Sequence, residues 1–143
     1  MYMTDVIQEV PEAAPVKGKN IFIIDDDIFL LDMYAMRFAQ AGYKIETAMS
    51  AADAIAKLEA GLTPDIMLMD VVMPAVDGFE MLESINAKGL VPKTIKIYLS
   101  NLGQEQDIAR GKSLGAASYI VKANSTPSEV VAHVEEVIKT YGL

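Results

Sequence analysis

Asp25 and Asp26, Asp70, Ser100 and Lys122 each stand at the end of a short apolar run: Asn20–Ile24, Asp65–Met69, Thr94–Leu99 and Ala117–Val121 respectively. Acids placed at the ends of buried strands are costly unless a cation or hydrogen-bond donors compensate them. If the runs lie side by side, Asp25, Asp26 and Asp70 meet, repel one another and raise one another's pKa, for which a divalent cation is the natural remedy. The chain has no Cys and a single His, so thiolate zinc sites and His-rich metal sites are excluded and oxygen ligands favour Mg²⁺. A cation, a carboxylate, an ammonium and a hydroxyl around one point suit a phosphoryl group. Asp70 then has the chemistry of a nucleophile that accepts it as an acyl phosphate, with Lys122 neutralising one phosphoryl oxygen and Ser100 donating a hydrogen bond to another.

The elements that must position these residues alternate between strand and helix. Asn20–Ile24 is β-branched and strand-like, and Leu31, Tyr34, Ala35 and Phe38 follow at helical spacing until Gly42. Lys44–Ala48 alternates polar and apolar, as a strand near a sheet edge would. Ser50 and Asp53 stand at N-cap and N3 of a second helix, whose buried stripe is Ala54, Ile55 and Leu58 and which Gly61 and Pro64 end. The stretch Asp65–Asp70 is the central strand. Residues 78–87 make a third helix through Phe79, Met81, Leu82 and Ile85, and Asp77-Gly78 reads as the turn that starts it. Residues 104–114 form a weak helix with only Ile108, Ala109 and Leu114 in its stripe, and an interior Gly111 costs it about 1 kcal/mol relative to Ala. Thr126-Pro127-Ser128-Glu129 is a capping box with Pro at N1, opening a last helix whose buried face is Val130, Val131, Val134, Val137 and Ile138. Right-handed crossovers between five such strands imply an α/β fold: a doubly wound parallel sheet with helices on both faces and the flavodoxin-like order 2-1-3-4-5. Ligands of such sheets bind outside the carboxyl ends of the strands, where the acids, Ser100 and Lys122 fall.

Composition narrows the function further. A chain of 143 residues, 52% hydrophobic, suffices for one packed domain, here 19–143, preceded by a disordered tail over 1–18. The net charge of −8, with 12 basic residues, argues against direct nucleic-acid contact. The start of the chain carries Asp5, Glu9 and Glu12 and lacks the pattern of a signal peptide, and no apolar run reaches the length of a membrane span. A cytoplasmic protein without membrane contact is the expectation.

Taken together, Asp25-Asp26 after an apolar strand, Asp70 before Met73-Pro74-x-x-Asp77-Gly78, Ser100 after an apolar strand, and Lys122 shortly after Tyr119 resemble the receiver domain of two-component response regulators. The likeness runs from about Lys19 to Leu143. It implies Mg²⁺-dependent phosphorylation of Asp70 by a sensor histidine kinase or histidine phosphotransfer protein, and an unnamed downstream protein that reads the result. It implies that Asp26, Asp70 and the carbonyl of Val72 coordinate Mg²⁺, with Asp25 contributing through water. Ser100 and Tyr119 are implied as the switch that reshapes the face of helix four, strand five and helix five. Such a protein is no enzyme beyond its own phosphoryl transfer and autodephosphorylation, and a stand-alone receiver is expected because little follows the last helix.

Departures from the family pattern keep other outcomes open. Ala123 follows Lys122 where the family usually has Pro after a cis peptide, Asn101 stands where a small residue is usual, and Val72 and Leu102 are apolar at positions that tune dephosphorylation. A receiver-like module that signals without phosphorylation is one alternative. A haloacid dehalogenase-type phosphatase is a remoter one, since its second acid would stand at Val72. Individually, Asp70 could form a turn, Ser100 cap the following loop, Lys122 lie on the surface and Tyr119 merely pack. His133 reads as a surface or packing residue, and the Met residues mostly as core filler.

Overall fold

Ile21–Ile24 and Ile66–Met69 are apolar at every position, as strands covered on both faces must be, and they are the middle of the sheet. The computed structural model describes residues 18–142; the tail expected over 1–18 lies, but for Gly18, outside them. Strands β1 (Asn20–Ile24), β2 (Lys44–Ala48), β3 (Ile66–Met69), β4 (Ile95–Ser100) and β5 (Ser118–Val121) are all parallel and ordered β2-β1-β3-β4-β5. This is the doubly wound, flavodoxin-like sheet that the alternation implied. Helices α1 (Ile28–Gln40) and α5 (Pro127–Thr140) cover one face, while α2 (Ala51–Glu59), α3 (Gly78–Ala87) and α4 (Glu105–Ser113) cover the other.

Alternate residues of each strand feed the two cores. Ile21, Ile23, Ile66, Leu68, Ile97 and Leu99 pack with Leu31, Tyr34, Phe38, Val130, Val134 and Ile138. Phe22, Ile24, Met67, Met69 and Tyr98 pack with Ala54, Leu58, Phe79, Leu82 and Ile85. Strand β2 is the wet edge, its residues exposed or half-buried until Ala48.

Local signals account for the helix starts. Ser50 Oγ accepts from Asp53 N–H at 3.1 Å, and reciprocal capping boxes join Asp77 with Glu80 and Thr126 with Glu129. Asp27, the third acid of its run, is the N-cap of α1 and accepts from Phe29 and Leu30 N–H.

Helix α4 departs from the expected stripe. Ile108 and Leu114 are half-buried, Ala109 is exposed, and the one buried residue of the helix is Gly111. A Cβ there would stand 2.9 Å from Tyr98 Cδ2 and 3.0 Å from Tyr119 Cδ2, so the helix approaches the sheet through a residue without a side chain. The glycine is a packing contact as well as a propensity cost.

Candidate functional site

The strand register brings the site together. Ile24 pairs with Met69, Met69 with Tyr98, and Ser100 with Val121. The residues that follow, Asp25, Asp70 and Lys122, therefore emerge at the same edge of the sheet. Backbone bonds extend the ladder past the strand ends, Asp25 N–H donating to Ala48 O at 3.1 Å and Asp70 N–H to Ile24 O at 2.9 Å.

Carboxylate oxygens of Asp25, Asp26 and Asp70 lie within 4.8 Å of one another. Asp25 and Asp70 are buried, 2% and 6% exposed, and Asp26 is the outermost. Lys122 Nζ donates to Asp25 Oδ2 at 2.7 Å and to Asp70 Oδ2 at 3.1 Å. The other oxygens of these acids accept backbone donors: Asp25 Oδ1 from Asp27 N–H at 2.9 Å, and Asp70 Oδ1 from Val71 N–H at 2.7 Å.

Charge balance follows from these contacts. Burial raises the pKa of Asp70 above the usual carboxylate value; Lys122 opposes the shift and Asp25 adds to it. Burial pulls the Lys122 ammonium down, but its hydrogen bond to Asp25 and the charges of Asp70 and Asp25 outweigh this and leave it above its usual value. Three carboxylates face one ammonium, so two negative charges stay uncompensated. A divalent hard cation fits both that deficit and the all-oxygen donor set. No hydrogen bond among the described residues engages the Val72 carbonyl, and Val72 is 57% exposed.

Ser100 is fully buried at the end of β4, and its hydroxyl accepts from Leu102 N–H at 3.3 Å. The hydroxyl thus caps the loop that follows β4. Tyr119 is buried in β5, with its hydroxyl donated to the Leu102 carbonyl at 2.6 Å. Burial raises its pKa, the charge of Asp107 adds to the shift, and the nearby Ser100 hydroxyl opposes it. The two residues therefore share the connection between β4 and α4.

The remaining expectations resolve simply. Lys122–Asn124 forms one 3-10 turn, and all peptide bonds among the described residues are trans, Lys122-Ala123 included. His133 is exposed, its Nε2 hydrogen-bonded to Ser118 Oγ at 2.8 Å. Asp77-Gly78 starts α3, and a Cβ at Gly78 would fall 2.0 Å from the Asp70 carbonyl oxygen. Sequence reasoning passed over Tyr34, which it read only as part of the α1 stripe. Its phenol is raised by burial and also feels Lys122, Asp25 and Asp70, so it belongs to the surroundings of the site. No helix among the described residues is long and apolar enough to cross a membrane.

Comparison with known proteins agrees with this geometry. Residues 21–135 match the family model described as the response regulator receiver domain. Response regulator SaeR of Staphylococcus aureus is 32% identical over 120 residues, covering 83% of this chain and 50% of that protein. The probable transcriptional regulator ycf27 of Cyanophora paradoxa is 28% identical over 124 residues, covering 87% of this chain and 50% of that protein. The chain thus spans about half the length of the curated relatives it matches. Among solved structures, a CheY-like receiver domain protein from Methanospirillum hungatei superposes with a TM-score of 0.78 at 27% identity, covering 87% of this chain and 96% of that one. Chemotaxis response regulator CheY4 of Vibrio cholerae gives 0.76 at 26% identity, covering 85% and 99%.

Proposed function

Because the chain belongs to the response regulator receiver domain family of two-component systems, we propose that it is an Mg²⁺-dependent phosphoacceptor whose Asp70 takes a phosphoryl group from a phosphohistidine on a kinase or phosphotransfer protein. The observation that carries this is the Lys122 ammonium bridging Asp25 and Asp70 beside a third acid, at the sheet edge where such folds bind ligands.

An Asp70 carboxylate oxygen forms a bond to phosphorus as the phosphorus–nitrogen bond of the donor imidazole breaks, the electron pair leaving with the imidazole. Asp25, Asp26, Asp70 and the Val72 carbonyl would hold the metal, which when bound supplies charge neutralisation for the phosphoryl oxygens. Burial keeps bulk water from screening the charges of Asp70 and Lys122. Lys122 then has two tasks: it keeps the acids together before reaction and compensates phosphoryl charge after it.

Ser100 and Tyr119 are the switch in this proposal. A phosphoryl on Asp70 would accept the Ser100 O–H. Because the Ser100 oxygen accepts from Leu102 N–H, turning the hydroxyl toward the phosphoryl draws on that loop, whose movement Tyr119 senses through its bond to the Leu102 carbonyl. Helix α4 buries only Gly111, so few apolar contacts resist its displacement, and the face of α4, β5 and α5 is the surface offered to a downstream protein.

The test is phosphate-affinity electrophoresis after incubation with a small-molecule phosphodonor and Mg²⁺. A shifted band that needs Mg²⁺ and disappears in Asp70→Asn is expected. A band that survives in Asp70→Asn, or no band in the unmodified protein, would refute the assignment.

A further inference from the structure

We propose that Tyr98 is a positioning residue for the chemistry at Asp70, a role that rests on the phosphoacceptor function above. Tyr98 lies in β4, fully buried, and its hydroxyl donates to the Gly78 carbonyl at 2.8 Å. Gly78 N–H in turn donates to the Val71 carbonyl at 2.7 Å. A Cβ on Gly78 would stand 2.0 Å from the Asp70 carbonyl oxygen and 2.8 Å from Val71 Cα, so only hydrogen fits between α3 and the phosphoacceptor peptide. The Asp70–Val71 backbone rests on Gly78, and Tyr98 holds Gly78 from the other side.

The ring of Tyr98 makes a second set of contacts. It lies edge-on to Phe79 at 5.3 Å between centroids and tilted against Tyr119 at 5.7 Å. A Cβ at Gly111 of α4 would stand 2.9 Å from its Cδ2. One side chain therefore touches the first residue of α3, on which the Asp70–Val71 peptide rests, through its hydroxyl, and both Tyr119 and α4 through its ring. Burial raises the pKa of this phenol far above its usual value, so the hydroxyl remains a donor at any ordinary pH. Holding the acceptor loop in place before a ligand arrives removes an ordering cost from binding. It also gives the loop and α4 one rigid neighbour in common.

Tyr98→Phe deletes the donor and keeps the ring. Helix geometry leaves the Gly78 carbonyl its bond from Leu82 N–H, so the fold is retained. Beryllofluoride with Mg²⁺ is titrated into the full chain and followed by the NMR resonances of labelled tyrosines. Affinity about three- to tenfold weaker than in the unmodified protein is expected, the span that one net hydrogen bond provides. Thermal midpoints should differ by only a few degrees, and Tyr119 should respond less to the ligand. Gly111→Ala presses on the same ring from α4, and its effect on this titration should be non-additive with that of Tyr98→Phe. Unchanged affinity and an unchanged Tyr119 response in Tyr98→Phe, or full additivity with Gly111→Ala, would overturn the positioning role alone. An unmodified protein that neither binds beryllofluoride nor takes an Asp70-dependent phosphoryl label would overturn the phosphoacceptor function first, and this role with it.

Discussion

Replacing Lys122 with Met removes the only ammonium bonded to Asp25 and Asp70 among the described residues while keeping most of its apolar stem. The three side chains are 9%, 3% and 8% exposed for Lys122, Asp25 and Asp70, so water does little to screen what remains. Breaking a buried ion pair by deleting one partner costs about 3–5 kcal/mol, because the other charge is left uncompensated. Two carboxylates are left here, but one has an escape: Asp70 already has a raised pKa, chiefly through burial, and can take up a proton. The lower end of the range, about 3 kcal/mol near neutral pH without divalent cations, is the expected loss in urea unfolding followed by circular dichroism.

The pH dependence has a definite sign. An acid whose folded pKa lies above its unfolded value weakens the fold at high pH, and that penalty fades as pH falls through the folded pKa. Loss of Lys122 removes the cation that opposes the rise, so Asp70 moves further up in the variant than in the parent. The stability gap between Lys122→Met and the parent should therefore narrow on going from about pH 8 toward about pH 5.5. Mg²⁺ should narrow it too, since a cation replaces the missing positive charge. Equal stability of variant and parent across this range, or a gap that widens in acid, would refute the claim that this ammonium holds the acids together.

Asp26→Asn should leave stability without Mg²⁺ within about 0.5 kcal/mol of the parent, because Asp26 is the most accessible of the three acids. It should abolish most of the thermal stabilisation by Mg²⁺, which for the parent is about 2.7 kcal/mol at a concentration one hundred times Kd; equal Mg²⁺ responses in differential scanning fluorimetry would count against Asp26 as a ligand. Gly78→Ala should lower the urea midpoint by the equivalent of about 3 kcal/mol, since its Cβ would overlap the Asp70 carbonyl oxygen at 2.0 Å; a neutral result would show that the α3 entry shifts freely. Thr126→Ala, which removes the α5 capping box, should cost about 1 kcal/mol in urea unfolding yet leave the phosphorylation rate unchanged.

Much of the fold was legible because its signals are local. Ser50 and Thr126 cap helices where their types and spacing said they would, Asp77-Gly78 starts α3 as its turn chemistry implied, and the polar alternation of Lys44–Ala48 marks a true edge strand. The strand-end residues were legible for a related reason: in a parallel sheet every strand points the same way, so a polar residue ending an apolar run has one edge on which to appear. What stayed hidden depends on contacts between elements distant in the chain. A central strand is apolar on both faces, so nothing in the run Thr94–Leu99 set Tyr98 apart, although its hydroxyl reaches a helix that begins 20 residues earlier. Lys96 was hidden likewise: it is buried within β4, and its ammonium finds the Val91 carbonyl at 2.6 Å. The packing role of Gly111 was hidden because propensity prices a glycine within its own helix and says nothing of what that helix leans on.

The same distinction separates the two halves of the proposed mechanism. The acceptor half needs only charges gathered at one edge: three acids, one ammonium and a deficit of two charges that a divalent ion fills. Phosphorylation would replace the charge of one carboxylate by about 1.5 to 2 charges on the phosphoryl, so the deficit grows and Lys122 must be shared among more anions. Its 2.7 Å bond to Asp25 is the shorter of the two it makes, and so Asp25 is the partner that loses most when the ammonium turns to a phosphoryl on Asp70. The output half cannot be driven by that charge alone, because Lys122 contacts neither α4 nor Tyr119 in any hydrogen bond or ion pair among the described residues. It requires neutral contacts, the Ser100 hydroxyl, the Leu102 backbone and the tilted, contacting rings of Tyr98 and Tyr119, to turn a change of charge at one strand end into a change of packing under the next helix.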